Sequence, residues 1–180
     1  MKIIYCVLLF WLNACVSSYA AEVSVRYENK TYYLHAAFDV EAASARVMQV
    51  LTDFDNISDL NPAIVESTLQ SSPKDDRLRV RTVIKDCVLF FCKRIVRVED
   101  IVQIGNEKLE AFVLPFLSDL RSGYAVWVLT KHPSGTTVTY EASIQPKFWI
   151  PPIVRSYVLT KKFKNRVIES VKLLQQKAQI

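Results

Sequence analysis

The sequence predicts an α+β domain in which a curved antiparallel sheet of about six to seven strands wraps around one long C-terminal helix. Residues 64–145 alternate between apolar and polar side chains with a period of two, and only short turn segments interrupt them. No helical pattern falls between these segments, so a parallel sheet with helical crossovers is not expected. After Pro152 the apolar spacing becomes helical. The 180 residues, 51% hydrophobic and 23% charged, suffice for one folded domain.

The first twenty residues have the pattern of a secretory signal peptide. A single positive charge at Lys2 precedes a short apolar run, and small residues follow it. We expect cleavage after about Ala20, which leaves one domain over residues 21–180 of an exported protein. Two alternatives remain open, an uncleaved membrane anchor and a lipoprotein signal with Cys15 as the lipidated residue.

The elements that precede the main sheet are a strand pair and two short helices. Residues 23–39 are rich in β-branched and aromatic side chains around a polar interruption, which predicts two strands joined by a turn. Helical spacing of apolar residues predicts an amphipathic helix over about 41–53. Asp55 or Asn56 can cap a second short helix, and Pro62 ends or redirects it.

The period-two region divides into segments that each have the length of a strand. Turn signals rich in Gly, Pro, Asn, Asp and Ser separate them, and the short connections favour an antiparallel meander. The predicted strands are residues 64–72, 77–88, 93–104, 108–115, 123–132 and 136–146.

The C-terminal segment predicts one helix of more than twenty residues. No helix breaker follows Pro152, which suits the first turn of a helix. The helix must bury its apolar stripe against the concave face of the sheet, and pockets between such layers are mostly apolar. The stripe consists of Ile153, Tyr157, Val167, Ile168, Val171 and Leu174.

The order of elements and three local phrases resemble the START/polyketide-cyclase (SRPBCC) superfamily. The phrases are "VMQVLTDFDNISDLNP" (47–62), "SDLRSG" (118–123) with Trp127, and "FWIPP" (148–152), and the last two are similar to an exported bacterial polyketide cyclase/dehydrase-like subgroup. This resemblance implies a helix-grip fold over 21–180, a periplasmic location and a cavity between sheet and last helix. The superfamily includes lipid carriers, quinone-binding proteins and aromatic cyclases. The implied partner is therefore a hydrophobic or amphipathic small molecule of lipid or quinone type, as in coenzyme Q-binding relatives.

Several polar and aromatic residues are candidates for the wall of that cavity. Arg97 and Glu99 share one face of a strand, and a few such groups in an apolar pocket would orient a ligand. The alternative is a purely structural role, in which acidic and basic residues fix a bend and aromatic rings fill the core. The candidates are Arg97, Glu99, Phe112, Asp119, Arg121, Trp127, Tyr140, Trp149 and Tyr157.

Two other functions compete with ligand binding. A cyclase, dehydratase or isomerase would need an acid and a base that converge in the cavity, such as Asp119 with Tyr140 or Arg97. A membrane-associated interaction module would need no ligand and would use basic residues such as Lys161 and Lys162. Export argues against a nucleic-acid partner.

No cofactor or metal is expected. The two histidines, His35 and His132, lie on different segments, and no Cys cluster accompanies them. Three isolated glycines exclude a Gly-rich phosphate loop.

The remaining question is the role of Cys87 and Cys92. A metal site lacks further ligands, and a redox motif lacks the C-x-x-C spacing. On one straight strand the two residues would lie roughly 16 Å apart, so a disulfide requires the chain to reverse between them. The resemblance places a hairpin here, and it therefore implies a Cys87–Cys92 disulfide at the hairpin tip. That tip would present Leu89, Phe90 and Phe91 as a cap on the pocket or as a membrane contact.

Overall fold

The computed structural model describes residues 21–72, 76–88 and 90–179. The predicted signal segment and Leu89 lie outside these residues. The strands are β1 (Glu22–Glu28), β2 (Thr31–Val40), β3 (Ile64–Gln70), β4 (Leu78–Val88), β5 (Phe91–Ile104), β6 (Lys108–Val113), β7 (Leu120–His132) and β8 (Gly135–Pro146). The helical elements are α1 (Ser44–Leu51), two 3₁₀ turns (Phe54–Asp59 and Pro115–Leu117), α2 (Pro152–Tyr157), a π turn (Val158–Lys162) and α3 (Phe163–Ala178).

All eight strands belong to one antiparallel sheet in the order β1-β2-β8-β7-β6-β5-β4-β3. The α+β prediction of an antiparallel sheet around a long C-terminal helix is confirmed. The strand count of eight lies just above the expected six to seven, because the first strand pair joins the same sheet beside β8. The two predicted short helices are α1 and the first 3₁₀ turn.

Small side chains line the middle of the concave face. Ala111, Ala125 and Ala142 are buried and lie directly opposite one another on β6, β7 and β8. Their row continues to Leu34 on β2 and to Ile101 on β5. Paired residues of neighbouring strands point to the same face, so the three alanines form a shallow floor in the middle of the concave face. The strands on either side of this floor, β1–β2 with Leu34 and β4–β5 with Ile101, form its two flanks.

The C-terminal helical run buries most of its core side chains in its last part. α3 buries Val171, Leu174 and Ala178 in the core. In its last turn, the Lys177 carbonyl accepts a hydrogen bond from Arg46 Nη2 at 2.9 Å. α2 buries a single residue, Val154. α2, the π turn and α3 follow one another without a break over residues 152–178, so the predicted helix of more than twenty residues is confirmed, with a π turn inside it. In the described part of the chain, no helix combines the length and apolar character needed to span a membrane.

The hairpin between β4 and β5 is closed as predicted. Cys87 lies directly opposite Cys92, and a disulfide joins the two residues. Phe90 at the tip is 75% exposed. The disulfide therefore secures a hairpin end that offers apolar surface to its surroundings.

Candidate functional site

A buried ion pair lies on the concave face of β5. Arg97 Nε is 3.0 Å from Glu99 Oε2, and the two side chains are 24% and 10% exposed. Arg97 Nε also donates a hydrogen bond to Thr82 Oγ1 at 3.3 Å, across the β4–β5 pair. The predicted shared face of Arg97 and Glu99 is therefore present, and Thr82 completes a polar cluster that the sequence alone did not reveal.

Tyr140 and Trp127 lie near this ion pair. The two residues face each other on β8 and β7, with ring centroids 4.9 Å apart. Burial raises the pKa of Tyr140 to about 12, while the charge of Arg97 lowers it and that of Glu99 raises it. Tyr140 therefore stays protonated at neutral pH and presents a hydrogen-bond donor. Both rings pack against the core but keep some accessible surface, as wall residues of an interior space would.

The floor between the flanks is apolar and narrow. Gly123 pairs with Ile144, and a Cβ atom at Gly123 would lie only 2.5 Å from Val113 Cγ2. Val113 in turn pairs with Glu99. The polar cluster is thus separated from the β1–β2 flank by residues that offer no hydrogen bonds through their side chains.

Two predicted candidates, Asp119 and Arg121, do not reach this cluster. Asp119 Oδ2 accepts a hydrogen bond from the backbone N–H of Val96 at 2.8 Å, and its carbonyl accepts one from Lys147 N at 3.0 Å. Arg121 is exposed on β7. Asp119 thus fixes the bend before β7, which is the structural role weighed as the alternative.

Phe112 lies on the outer face of the sheet. Its ring is 5.2 Å from that of Tyr124, and the Arg77 guanidinium lies 5.6 Å from its centroid. The neighbours Ala111 and Val113 occupy the concave face, so strand alternation turns Phe112 away from the predicted cavity.

Trp149 and Tyr157 lie at the edge of the sheet–helix space rather than inside it. Trp149 is 72% exposed and Tyr157 36%, and Ile153 on α2 is 62% exposed. The ammonium group of Lys93 lies 5.1 Å from the Phe148 ring and thereby connects the β5 end of the hairpin to this segment. We call the exposed residues Phe90, Trp149 and Ile153 the apolar rim.

The basic residues of the π turn have different surroundings. Lys162 Nζ is 2.8 Å from Asp86 Oδ1 and donates a hydrogen bond to the Cys87 carbonyl at 3.2 Å. Arg166 also contacts Asp86, at 3.4 Å. Lys162 is therefore bound to the hairpin by an ion pair and a hydrogen bond. Of the two predicted membrane-contact lysines, Lys161 is the exposed one.

Each histidine lies near a different carboxylate on the outer side of the sheet. His35 Nδ1 is 3.6 Å from Glu141, and His132 Nε2 is 3.6 Å from Asp39. Within residues 21–72, 76–88 and 90–179, no group of three or more His, Cys, Asp and Glu side chains is arranged to hold a metal ion.

Two surface depressions lie outside the sheet–helix space. One of about 440 Å³ is on the outer face, lined by Arg26, Tyr33 and Glu141 among others. The other, of about 280 Å³, lies beside α1 and includes Asp53 and Lys177. The interior polar cluster belongs to neither of them.

Comparison with known proteins identifies the fold. No protein-family model and no curated protein sequence matches the chain. Among solved structures, it is similar to a STAR-related lipid transfer protein from Xanthomonas axonopodis, with 18% identity, a TM-score of 0.65 and coverage of 89% of this chain and 94% of that one. It is also similar to a START superfamily protein from Mycobacterium smegmatis, with 14% identity, a TM-score of 0.61 and coverage of 82% and 97%.

A third similar structure is a di-domain aromatase/cyclase from the steffimycin biosynthetic pathway. It shares 12% identity at a TM-score of 0.62, and the match covers 83% of this chain. The chain spans about half the length of that protein, 51% of it. These likenesses show that the chain has the START-like helix-grip fold, the architecture expected from the sequence.

Proposed function

We propose that the protein is an exported, periplasmic START-like protein that binds a hydrophobic or amphipathic small molecule, of lipid or quinone type, between the sheet and the C-terminal helix. The observation that carries the proposal is the Arg97–Glu99 ion pair beside Tyr140 on a largely apolar concave face. Ligand sites of this kind combine apolar walls with a few placed polar groups that fix the ligand's orientation. The lipid-transfer description of one similar structure points the same way.

Binding is favoured over acid–base catalysis by the state of the polar groups. A phenol with a pKa of about 12, as at Tyr140, is a poor acid or base near neutral pH. The carboxylate of Asp119 is engaged by the backbone N–H of Val96. A hydrogen-bonding role for Tyr140 needs no change in protonation.

Export is supported by the disulfide as well as by the predicted signal peptide. Disulfides such as Cys87–Cys92 persist in oxidising compartments and are rare in the cytosol. The mass of the protein isolated from its native cell envelope tests this step. We expect a mature chain that starts near Ala21 and contains no free thiol, and a full-length cytosolic chain would contradict it.

The apolar rim offers a route for a ligand taken up from a membrane. Phe90, Trp149 and Ile153 are exposed, and the nearby cations Lys93 and Lys161 would favour an anionic lipid surface. The interaction is peripheral in this proposal, and the ligand site lies behind the rim.

Two tryptophans allow the ligand site and the rim to be tested separately. Residues 21–180 contain Trp127 at the concave face and Trp149 at the rim. In a Trp149→Phe variant, a soluble brominated fatty acid or quinone should quench Trp127 in a saturable manner. In a Trp127→Phe variant, brominated anionic vesicles should quench Trp149. Failure of every apolar probe to quench Trp127 would refute ligand binding, whatever happens at Trp149.

A further inference from the structure

One buried hydroxyl group on the concave face lacks a hydrogen-bond partner. Tyr32 on β2 is 4% exposed, and its phenolic oxygen has no partner among the described residues. Buried polar groups are normally satisfied, so an unpaired one calls for an explanation. Tyr32 pairs with Tyr27 and Ile144 across β1, β2 and β8, which places it on the β1–β2 flank opposite Glu99.

A cation lies beside this phenol. The guanidinium carbon of Arg155 on α2 is 4.7 Å from the centroid of Tyr27, and the Tyr27 and Tyr32 rings are 4.8 Å apart. Burial, and to a lesser extent Tyr27, raises the pKa of Tyr32, the charge of Arg155 lowers it, and the net value is about 12. No carboxylate of the described residues forms an ion pair with Arg155. Within the described residues, a neutral donor and a cation without an ion-pair partner therefore lie close together.

The π turn is the point about which α2 can move to let a ligand approach Tyr32. α2 carries Arg155 and buries only Val154, whereas α3 is anchored by several core residues. π turns inside helices occur frequently at functional sites. A displacement of α2 about the π turn would move Arg155 away from Tyr27, and full access to Tyr32 would also require a shift of Phe163 at the start of α3, whose ring lies 6.3 Å from that of Tyr32.

We propose that Tyr32 and Arg155 form a head-group site for an anionic oxygen group, a carboxylate or a phosphate, of the amphipathic ligand. This inference rests on the proposed function and specifies the ligand class for that site. The phenol of Tyr32 donates a hydrogen bond to the anionic oxygen, and Arg155 supplies the compensating charge. Charge-assisted hydrogen bonds of this type are stronger than those between neutral groups.

The distance between the two polar positions matches the length of an apolar tail. Tyr32 and Glu99 lie on β2 and β5, four strands apart in the sheet, which corresponds to roughly 19 Å along the sheet at about 4.8 Å per strand. Ile144 and Gly123 lie between them. A long acyl chain held at Tyr32 would cross this apolar floor toward Trp127 and Tyr140.

Three ligands with the same acyl chain test the head-group site by titration calorimetry. Palmitic acid and lysophosphatidic acid carry the two anionic groups, and methyl palmitate carries none. The wild-type protein should prefer at least one anionic ligand over the ester. Tyr32→Phe and Arg155→Gln should each reduce that preference about tenfold and leave the affinity for the ester unchanged. Tyr32→Phe keeps the ring and removes only an unsatisfied hydroxyl group, so the variant should remain folded.

A matched pair on the outer face provides the controls. Arg26 lies over the Tyr33 ring at 4.4 Å, as Arg155 lies over Tyr27. Tyr33→Phe and Arg26→Gln should leave the anion preference intact. An unchanged preference in Tyr32→Phe and Arg155→Gln, or tighter binding of the ester by the wild-type protein, would overturn the head-group site alone. Failure of all three ligands to bind would overturn the head-group site, and it would overturn the proposed function as well if the quinone probe also failed to quench Trp127.

Discussion

Asp86, on the β4 side of the disulfide-closed hairpin, is ion-paired with Lys162 in the π turn at 2.8 Å. Arg166 shares the same carboxylate, and Lys162 also donates to the Cys87 carbonyl. The least regular turn of the C-terminal helix is thus fastened to the hairpin through one acidic side chain. We infer that this contact limits the opening of α2.

Asp86→Asn should loosen the π turn with a small loss of global stability. The side chains involved are about one-quarter to one-third exposed, so the expected loss is at most about 1 kcal/mol. Hydrogen exchange should become faster in residues 152–166 and stay unchanged in α3 beyond them. Glu66→Gln is the matched control, because Glu66 also binds two cations, Arg81 and Arg94, away from the C-terminal helix. Equal exchange in both variants would show that Asp86 does not restrain α2.

The Cys87–Cys92 disulfide should contribute about 2 kcal/mol to stability, because the loop it closes is short. Replacement of both cysteines by serine should lower the free energy of unfolding by that amount in urea titrations. The native fold should survive, since the β4–β5 pairing extends far beyond the tip. Ligand affinity unaffected by the replacement would show that the disulfide acts on stability alone.

The sequence was sufficient for the fold because its two periodicities are long and clearly separated. The sequence also contained the register of the β4–β5 hairpin. Once Cys87 is set opposite Cys92, counting the same number of residues back from Cys87 and forward from Cys92 places Thr82 opposite Arg97. The polar cluster was therefore accessible from the disulfide, although only Arg97 and Glu99 were identified.

Other parts of the site depend on tertiary contacts that no local pattern encodes. Ala111, Phe112 and Val113 are all apolar, so alternation alone did not decide which of them faces the core. The contact of Arg155 with Tyr27 joins residues far apart in the chain. The π turn carries no Gly or Pro that would mark it. Side-chain alternation, long-range packing and a helix irregularity thus account for what the sequence did not reveal.

Removing one partner of the Arg97–Glu99 ion pair should destabilise the protein strongly, whereas replacing both partners together should destabilise it less. Loss of one partner leaves a mostly buried charge uncompensated, so Glu99→Gln or Arg97→Met should each destabilise the protein by about 3 kcal/mol. The double variant should lose less than the sum of the two. A double-mutant cycle from urea unfolding measures the coupling, and additive effects would contradict an interacting buried pair.

Alkaline pH should destabilise the protein through three tyrosines. Tyr32 and Tyr140 have pKa values raised from 10.0 to about 12 by burial, and Tyr124 reaches about 12 mainly through its hydrogen bond to Glu110. Because the folded pKa lies above the unfolded one, this stabilisation is complete below about pH 10 and is lost as the pH rises toward 12. Unfolding free energies measured across this interval should fall less steeply for Tyr140→Phe than for the wild-type protein. Identical slopes would show that Tyr140 is not desolvated.

The floor of the concave face should tolerate no side chain at position 123. A Cβ there would meet Val113 Cγ2 at 2.5 Å and Val113 Cβ at 3.2 Å, and a β-branched side chain has little freedom to turn aside. Gly123→Ala should therefore destabilise the protein by about 1–3 kcal/mol. Adding Val113→Ala should recover part of that loss by removing the clashing methyl group, although Val113→Ala alone leaves a void. Thermal unfolding of the two single variants and the double variant measures this compensation. A Gly123→Ala variant of unchanged stability would mean that Val113 can move aside. The floor between Tyr32 and Glu99 would then be adjustable rather than fixed.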